Sequence, residues 1–557
     1  MNLKLTKPSF LKKEPVTLSF GTSGLRALVE DMTDLECYIN TRGFLEYLKE
    51  DDGISTKDTI CIAGDLRSST GRIMAVVAAA IKRSGYKVEN CGLIPTPAMA
   101  YYAMQNHLTS IMVTGSHIPE NRNGIKYYKH NGEVLKSDEA GIIAKVDGIR
   151  KEEYSKSANE TLFDENGMFK MPVSAGAVSE EAKKTFIRRY LDVFPPDCFS
   201  GKTIIVYQHS AVGRDILVYV LENLGAEVIP VERSDKFIAI DTENITAQNR
   251  ELFKLLADEY KHKHPFAIVS MDGDCDRPFV IDETGEVYRG DVLGVVVCQY
   301  LKAKFAAIPI SANDAIDIQL NKSRIELKHT KIGSPYVIQA MEEAIIEGKS
   351  CVVSWEVNGG FLTGTDFSID GNTLKALPTR DSFLPILAAL AQATNRGIAV
   401  SQLFIEFPHR YTDAGVLDNL PLDFGHKIIN TYSLLNESDI QQVSFSTGAI
   451  RVTDFTNKSR LVDLENPIYG ALLSNKKELE RFFNVKLGFG NILSINYLDG
   501  IRITFDNGDV AHIRPSGNAP QFRVYSNANS QERASEIIRL SITKPDGIIQ
   551  QMERGLT

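Results

Sequence analysis

Short apolar, β-branched runs alternate with stretches of helical periodicity along most of this chain. Residues 59–65 (TICIAGD) predict a strand, 69–84 a helix, 96–107 (TPAMAYYAMQNH) a second helix and 109–116 (TSIMVTGS) the next strand. The run at 111–113 is unbroken, the pattern of a strand covered on both faces. The alternation returns at 203–207 (TIIVY), a helix near 213–224 and 226–231 (AEVIPV). It returns again after residue 305, through AAIPIS, NDAIDIQLNKS, IELKHTKIG, SPYVIQAMEEAIIEG and SCVVSWE. Such alternation implies mostly parallel sheets, so three consecutive α/β domains are expected. The C-terminal part breaks the rhythm. INYLDGIRITFDNGDVAHIRPSG reads as antiparallel strands joined at Asp506-Asn507-Gly508, with a helix over 530–542, which predicts a fourth domain of α+β type. The expected boundaries are 1–176, 177–288, 289–405 and 406–557. Residues 151–178, polar with Gly and Ser, predict a linker or surface insertion, and the fourth domain carries extra sequence over about 419–491.

Composition narrows the function classes. The 557 residues are 43% hydrophobic and 24% charged, an ordinary soluble globular balance. The longest apolar runs, such as 73–81, are too short to span a bilayer, and the N-terminus has no apolar signal core, so neither membrane nor secretion is expected. Seven scattered cysteines without a CxxC pair predict reduced thiols and a cytoplasmic setting. The net charge of −9 argues against nucleic acid but permits small anionic substrates where basic residues gather.

Four loops carry the chemistry. The run Thr114-Gly115-Ser116-His117-Ile118-Pro119 leaves a hydroxyl at a strand's carboxyl end, where ligands of open α/β sheets bind. His117 and Lys126 give that nucleophile two neighbouring proton carriers. Asp272-Gly273-Asp274-Cys275-Asp276-Arg277 follows the apolar run FAIVS and sets three carboxylates at alternate positions, a pattern that converges on one hard cation. An EF-hand is excluded, because Arg277 and Pro278 stand at the sixth and seventh positions, the sixth demands glycine, and the flanks read as strands. Trp355-Glu356-Val357-Asn358-Gly359-Gly360 pairs an acceptor with an amide, which suits vicinal hydroxyls. Arg514-Pro515-Ser516-Gly517-Asn518-Ala519-Pro520, with Arg523, is a small-residue turn with two arginines, suited to phosphate. Phe20-Gly21-Thr22-Ser23-Gly24-Leu25-Arg26 places one more arginine early in the chain. Asp65-Leu66-Arg67-Ser68-Ser69 reads first as a strand-to-helix junction with a serine N-cap and second as a functional loop.

Together these motifs, over nearly the whole chain and in order, resemble the α-D-phosphohexomutase family of phosphomannomutases and phosphoglucomutases. The resemblance implies four domains around a central cleft, each contributing one loop. It implies that Ser116 carries phosphate and that Asp272, Asp274 and Asp276 hold Mg²⁺ against it, with Ser116 as a further ligand. Arg26, His117, Lys126 and Arg277 would serve the transfer itself. Glu356, Asn358 and Gly359 would meet the sugar. Arg514, Ser516, Gly517, Asn518 and Arg523 would clamp the phosphate that does not react. The implied activity is an isomerase of carbohydrate metabolism: a phosphomannomutase interconverting hexose 6-phosphate and hexose 1-phosphate, with hexose 1,6-bisphosphate as intermediate and activator. A phosphoglucomutase or dual-specificity enzyme is the alternative, and an inactive sugar-phosphate-binding protein a further one. The chain departs from the family pattern at Asn518-Ala519, where Thr-Glu is frequent, at Asn358, where some members have serine, and at Gly360, where several have histidine.

Overall fold

A computed structural model of the protein describes residues 7–18, 20–21, 24–51, 53–55, 58–434, 439–446, 449–516 and 520–556. The described residues form two compact units: one of residues 1–307, 323–328 and 333–406, the other of residues 308–322, 329–332 and 407–557.

One plan is repeated three times along the first part of the chain. In the first sheet the strand Thr59–Gly64 lies parallel to both Lys87–Leu93 and Thr109–Val113. The chain then turns back, and Arg122–Lys129 and Gly24–Leu28 add antiparallel to that edge. The second sheet centres on Thr203–His209, parallel to Glu227–Arg233 and Pro265–Met271, with Pro278–Ile281 antiparallel beyond. The third pairs Phe305–Pro309 parallel with Val352–Trp355, then adds Phe361–Thr363 and Leu377–Asp381 antiparallel. Mostly parallel sheets were expected; the sheets are mixed. The reason is connection length: a parallel partner needs a helical crossover, whereas the short TGSHIP, DGDCDR and EVNGG loops allow only antiparallel return. Each of these motifs therefore occupies the turn at which a parallel sheet becomes antiparallel.

The helices fall where periodicity places them: Thr70–Arg83, Thr96–Gln105, Arg214–Asn223, Ser334–Ile346 and Gln531–Ile542. Ser530 caps the last of these, its hydroxyl accepting from Arg533 N at 3.2 Å. Residues 151–178 differ from a plain linker. The helix Lys136–Tyr154 runs into them, and buried Phe163 packs on Tyr38 and Phe169 at centroid distances of 5.5 and 4.7 Å. The two phenylalanines supply apolar area that the polar average of the segment conceals.

The second unit carries, among the described residues, an eight-stranded antiparallel sheet. Three of its strands, Ile440–Ser446, Ala449–Asp454 and Ser459–Val462, come from the extra sequence and extend one edge. Ile495, Ile503, Ile513, Phe522 and Val524 are fully buried in its core. Among the described residues no helix is long and apolar enough to cross a membrane.

Candidate active site

Ser116 is fully buried and adopts φ +56°, the left-handed region. That conformation costs an L-residue about 1–2 kcal/mol, so the surroundings must impose it. Thr114 Oγ1 accepts from Ser116 N at 2.8 Å and donates to Asp65 Oδ2 at 2.8 Å. Arg67 does more. Its Nη2 donates to the carbonyls of Ser116 (2.9 Å) and Ile118 (2.6 Å), and its Nη1 to those of Pro119 (2.7 Å) and Arg122 (3.0 Å). Its Nε donates to Asp65 Oδ2 at 3.1 Å, and the ring of Phe237 lies 3.8 Å from the guanidinium carbon. One buried guanidinium thus binds four loop carbonyls, of which that of Pro119 also accepts from Arg122 N at 3.0 Å. The capping reading of residues 65–69 needs correction. Ser69 has helical backbone angles and makes no capping bond; its hydroxyl accepts from Asn123 Nδ2 at 2.8 Å. Arg67 is not among the site residues expected from the sequence.

The carboxylate loop turns between Pro265–Met271 and Pro278–Ile281, with Met271 opposite Pro278. It hangs from three directions: Thr96 Oγ1 donates to Asp274 Oδ2 (2.7 Å), Gly213 N to Cys275 Sγ (3.1 Å) and Ser382 Oγ to the Cys275 carbonyl (2.6 Å). One oxygen each of Asp272, Asp274 and Asp276 lies within 4.8 Å of the others, and all three residues are buried. Ser116 Oγ donates to Asp272 Oδ2 at 2.7 Å, so the nucleophile touches the triad. Lys126 Nζ donates to Asp274 Oδ2 at 2.7 Å and Asp276 Oδ2 at 2.8 Å. Asp274 Oδ1 and Asp276 Oδ1 are buried without a hydrogen-bond partner. Orphaned carboxylate oxygens are costly unless a cation meets them, and hard oxygen donors suit Mg²⁺. The residues present therefore fit a divalent ion.

Electrostatics sort these groups. Burial, then the charges of Asp274 and Asp276, push the Asp272 carboxyl well above its ordinary pKa. Burial acts the same way on Asp276, but Arg380, Lys126 and Arg277 outweigh it and hold that carboxyl far down. Burial opposes the Lys126 charge, yet Asp274 and Asp276 overcome it and raise its pKa, so the ammonium stays charged. His117 Nδ1 lies 3.4 Å from Ser116 Oγ; burial and the charges of Arg277 and Arg26 force its pKa far down, leaving a neutral imidazole. Arg277 Nε sits 3.5 Å from Asp276 Oδ1 and 4.0 Å from Asp272 Oδ2. Arg26 stands opposite Gly124 in the sheet. Desolvation by the surrounding walls and the like charges of Arg277 and Arg380 bring its pKa down to about 10.

Glu356 and Asn358 occupy the turn between Val352–Trp355 and Phe361–Thr363. Asn358 Oδ1 accepts from Gly360 N at 2.9 Å, and its carbonyl accepts from Thr242 Oγ1 at 2.8 Å. Gly359 N donates to the Glu356 carbonyl at 2.9 Å, and its φ of +86° suits glycine alone. Arg380, on Leu377–Asp381, donates from Nη1 to Glu356 Oε2 at 2.9 Å, and its Nη2 lies 3.1 Å from Asp276 Oδ2. Arg380 likewise is not among the site residues expected from the sequence. It also accounts for Gly360: a Cβ there would stand 2.7 Å from both Cγ and Cδ of Arg380, so the arginine stem fills the room a side chain would need.

In the second unit Arg514 and Arg523 stand directly opposite each other on Val510–Pro515 and Gln521–Ala528. Like charges so placed repel unless an anion lies between them. Arg514 Nε is 3.3 Å from Asp499 Oδ1, and Ser516 N donates to the Gln521 carbonyl at 2.8 Å. Gly517 and Asn518, and Thr22 and Ser23 of the early turn, lie outside the described residues.

The chain matches phosphoglucomutase/phosphomannomutase alpha/beta/alpha domain I over residues 17–153, domain II over 190–285 and domain III over 289–411. It is 35% identical over 520 residues to a phosphomannomutase of Sinorhizobium fredii, covering 93% of this chain and 97% of the relative. It is also 35% identical over 521 residues to a phosphomannomutase of Salmonella muenchen, covering 94% of each. A phosphoglucomutase/phosphomannomutase family protein from Burkholderia thailandensis shares the fold, with a TM-score of 0.64 at 14% identity over 96% of this chain and 97% of that one. The buried serine against three carboxylates, the three matched domains and relatives alike over nearly their whole length lead to one conclusion: the chain belongs to the α-D-phosphohexomutase family of phosphoglucomutases and phosphomannomutases.

Proposed function

We propose that the protein is a phosphomannomutase, moving a phosphoryl group between the 6- and 1-positions of mannose phosphate through a phosphorylated Ser116. The observation that carries this reading is the 2.7 Å hydrogen bond from Ser116 Oγ into the buried carboxylate triad. Two relatives that are 35% identical over more than nine-tenths of the chain bear that name. Phosphoryl transfer is governed by positioning and charge neutralisation, which these residues supply. Asp272, Asp274, Asp276 and the Ser116 oxygen would hold Mg²⁺, which when bound neutralises charge on the phosphoryl oxygens. Arg277 and Arg26 stabilise the remaining negative charge. Neutral His117, 3.4 Å from Ser116 Oγ, offers that hydroxyl a second hydrogen-bond partner beside Asp272, and Lys126 keeps the carboxylates in place. The carboxylate of Glu356 and the Asn358 loop meet the sugar hydroxyls. The opposed Arg514 and Arg523, with Ser516, Gly517 and Asn518, hold the second phosphate. A hexose 1,6-bisphosphate formed on the way reorients and returns its other phosphate to Ser116, so added bisphosphate activates the enzyme. All seven cysteines are free thiols, which suits a reducing cytoplasm.

The test is ³¹P NMR of the protein with Mg²⁺, a trace of hexose 1,6-bisphosphate, and mannose 1-phosphate and glucose 1-phosphate together. The mannose 1-phosphate signal is expected to convert to the 6-phosphate faster. Faster loss of glucose 1-phosphate would make the protein a phosphoglucomutase, and persistence of both signals would refute a mutase.

Arg67 supports the same step from behind the loop. Arg67→Lys keeps the charge but loses the planar fork that spans four carbonyls. A displacement of about 1 Å in a reacting group costs roughly 100-fold in rate. kcat is therefore expected to fall by about 10- to 100-fold with KM changed less than about threefold. Steady-state kinetics beside a thermal unfolding curve measure this; an unchanged kcat would leave Arg67 with a purely structural role.

A further inference from the structure

We infer that Arg380 is a specificity-determining residue: it fixes the carboxylate of Glu356 in one orientation and ties that orientation to Asp276 of the triad. The inference rests on the mutase reading above and names what tunes it.

The guanidinium bridges two loops. Nη1 binds Glu356 Oε2 at 2.9 Å and Nη2 meets Asp276 Oδ2 at 3.1 Å, with the side chain 8% exposed. Asn358 Nδ2 also points at Glu356 Oε2, at 3.4 Å. Oε2 is thereby committed to the protein, and Oε1 has no hydrogen-bond partner among the described residues. One oxygen of Glu356 is anchored and the other is left to accept from a ligand. The arrangement leaves Arg380 little freedom. Its stem packs over Gly360, where a Cβ would lie 2.7 Å from Cγ and Cδ. Asp276 is itself gripped by Lys126 Nζ at 2.8 Å. Arg380 Nε is buried without a partner, one further donor within the site.

Rigidity matters here because epimers differ only in the direction of one hydroxyl. A carboxylate distinguishes them only when its accepting oxygen is held to within about 0.5 Å, since a mobile one follows either hydroxyl. A glutamate on a turn has three side-chain torsions to lose, and the bridge to Asp276 removes that freedom. A lysine at 380 would keep the charge but present a point donor in place of a fork, unable to hold both carboxylates in one plane. Alanine at 360 would act from the other side, pushing the stem aside and drawing the guanidinium off Glu356.

The experiment measures kcat and KM for mannose 1-phosphate and glucose 1-phosphate, with Mg²⁺ and hexose 1,6-bisphosphate, in the wild type, Arg380→Lys and Gly360→Ala. Both variants are expected to change the ratio of kcat/KM between the two sugars by about fivefold or more, chiefly through KM of the preferred one. A residue that only supports the fold would depress both sugars alike. An unchanged ratio in either variant that retains the wild-type unfolding temperature would overturn the inference. Gly360→Ala, which keeps the arginine, carries the test if Arg380→Lys does not fold. Wild-type inactivity on both sugars would instead overturn the mutase reading, and this inference with it.

Discussion

Ser116→Ala is expected to reduce phosphoryl exchange between sugar phosphates by about 10⁴-fold or more while leaving the fold in place. The hydroxyl is the covalent carrier, and neither neighbour replaces it: Asp272 Oδ2, 2.7 Å from that oxygen, belongs to the carboxylate triad, and His117 Nδ1 lies 3.4 Å away. The structural cost is small. Alanine keeps the backbone bonds from Arg67 and Thr114 that impose the left-handed turn. What is lost is one hydrogen bond to Asp272 Oδ2, worth about 1–2 kcal/mol in a protein of this size. The variant should therefore unfold at nearly the wild-type temperature and still bind hexose bisphosphate. Turnover within tenfold of wild type would sink the covalent role of Ser116. Loss of turnover together with collapse of the unfolding transition would show a structural role instead.

Asp274→Asn is expected to lower the rate by about 10³-fold and raise the half-saturating Mg²⁺ concentration by about tenfold or more. The side chain keeps its shape, and with its amide oxygen in the place of Oδ2 both Thr96 and Lys126 keep an acceptor 2.7 Å away. The change is in charge. One of three carboxylates becomes neutral, and an NH₂ takes the place of Oδ1, the oxygen that has no hydrogen-bond partner. If that amide turns its NH₂ toward Lys126, two donors face each other in a buried site and the loop must shift. A Mg²⁺ titration of initial rates separates the two contributions. A rate loss with unaltered Mg²⁺ dependence would mean that the metal loop is misassigned and that Asp274 acts only as the partner of Lys126.

Sequence periodicity by itself placed the strands at 59–64, 109–113 and 203–207 and the helices at 70–83, 96–105 and 214–223, because burial on one or both faces is written into neighbouring residues. It also placed Ser116, the three aspartates and Glu356 at strand ends, since each motif is a short local run bounded by apolar strands. It did not reveal that the sheets are mixed, because strand direction depends on what a loop is long enough to span. Residues 151–178 read as a linker or surface insertion from an average that hides Phe163 and Phe169, whose packing is set by Tyr38 far away in sequence. Arg67 and Arg380 were equally hidden. In the sequence each is an ordinary arginine near a strand. Only the fold brings Arg67 to four carbonyls some fifty residues away and Arg380 to carboxylates 24 and 104 residues earlier. Local chemistry is legible in a chain because one loop carries it; the groups that aim that chemistry are not, because long-range packing alone decides which buried charge meets which.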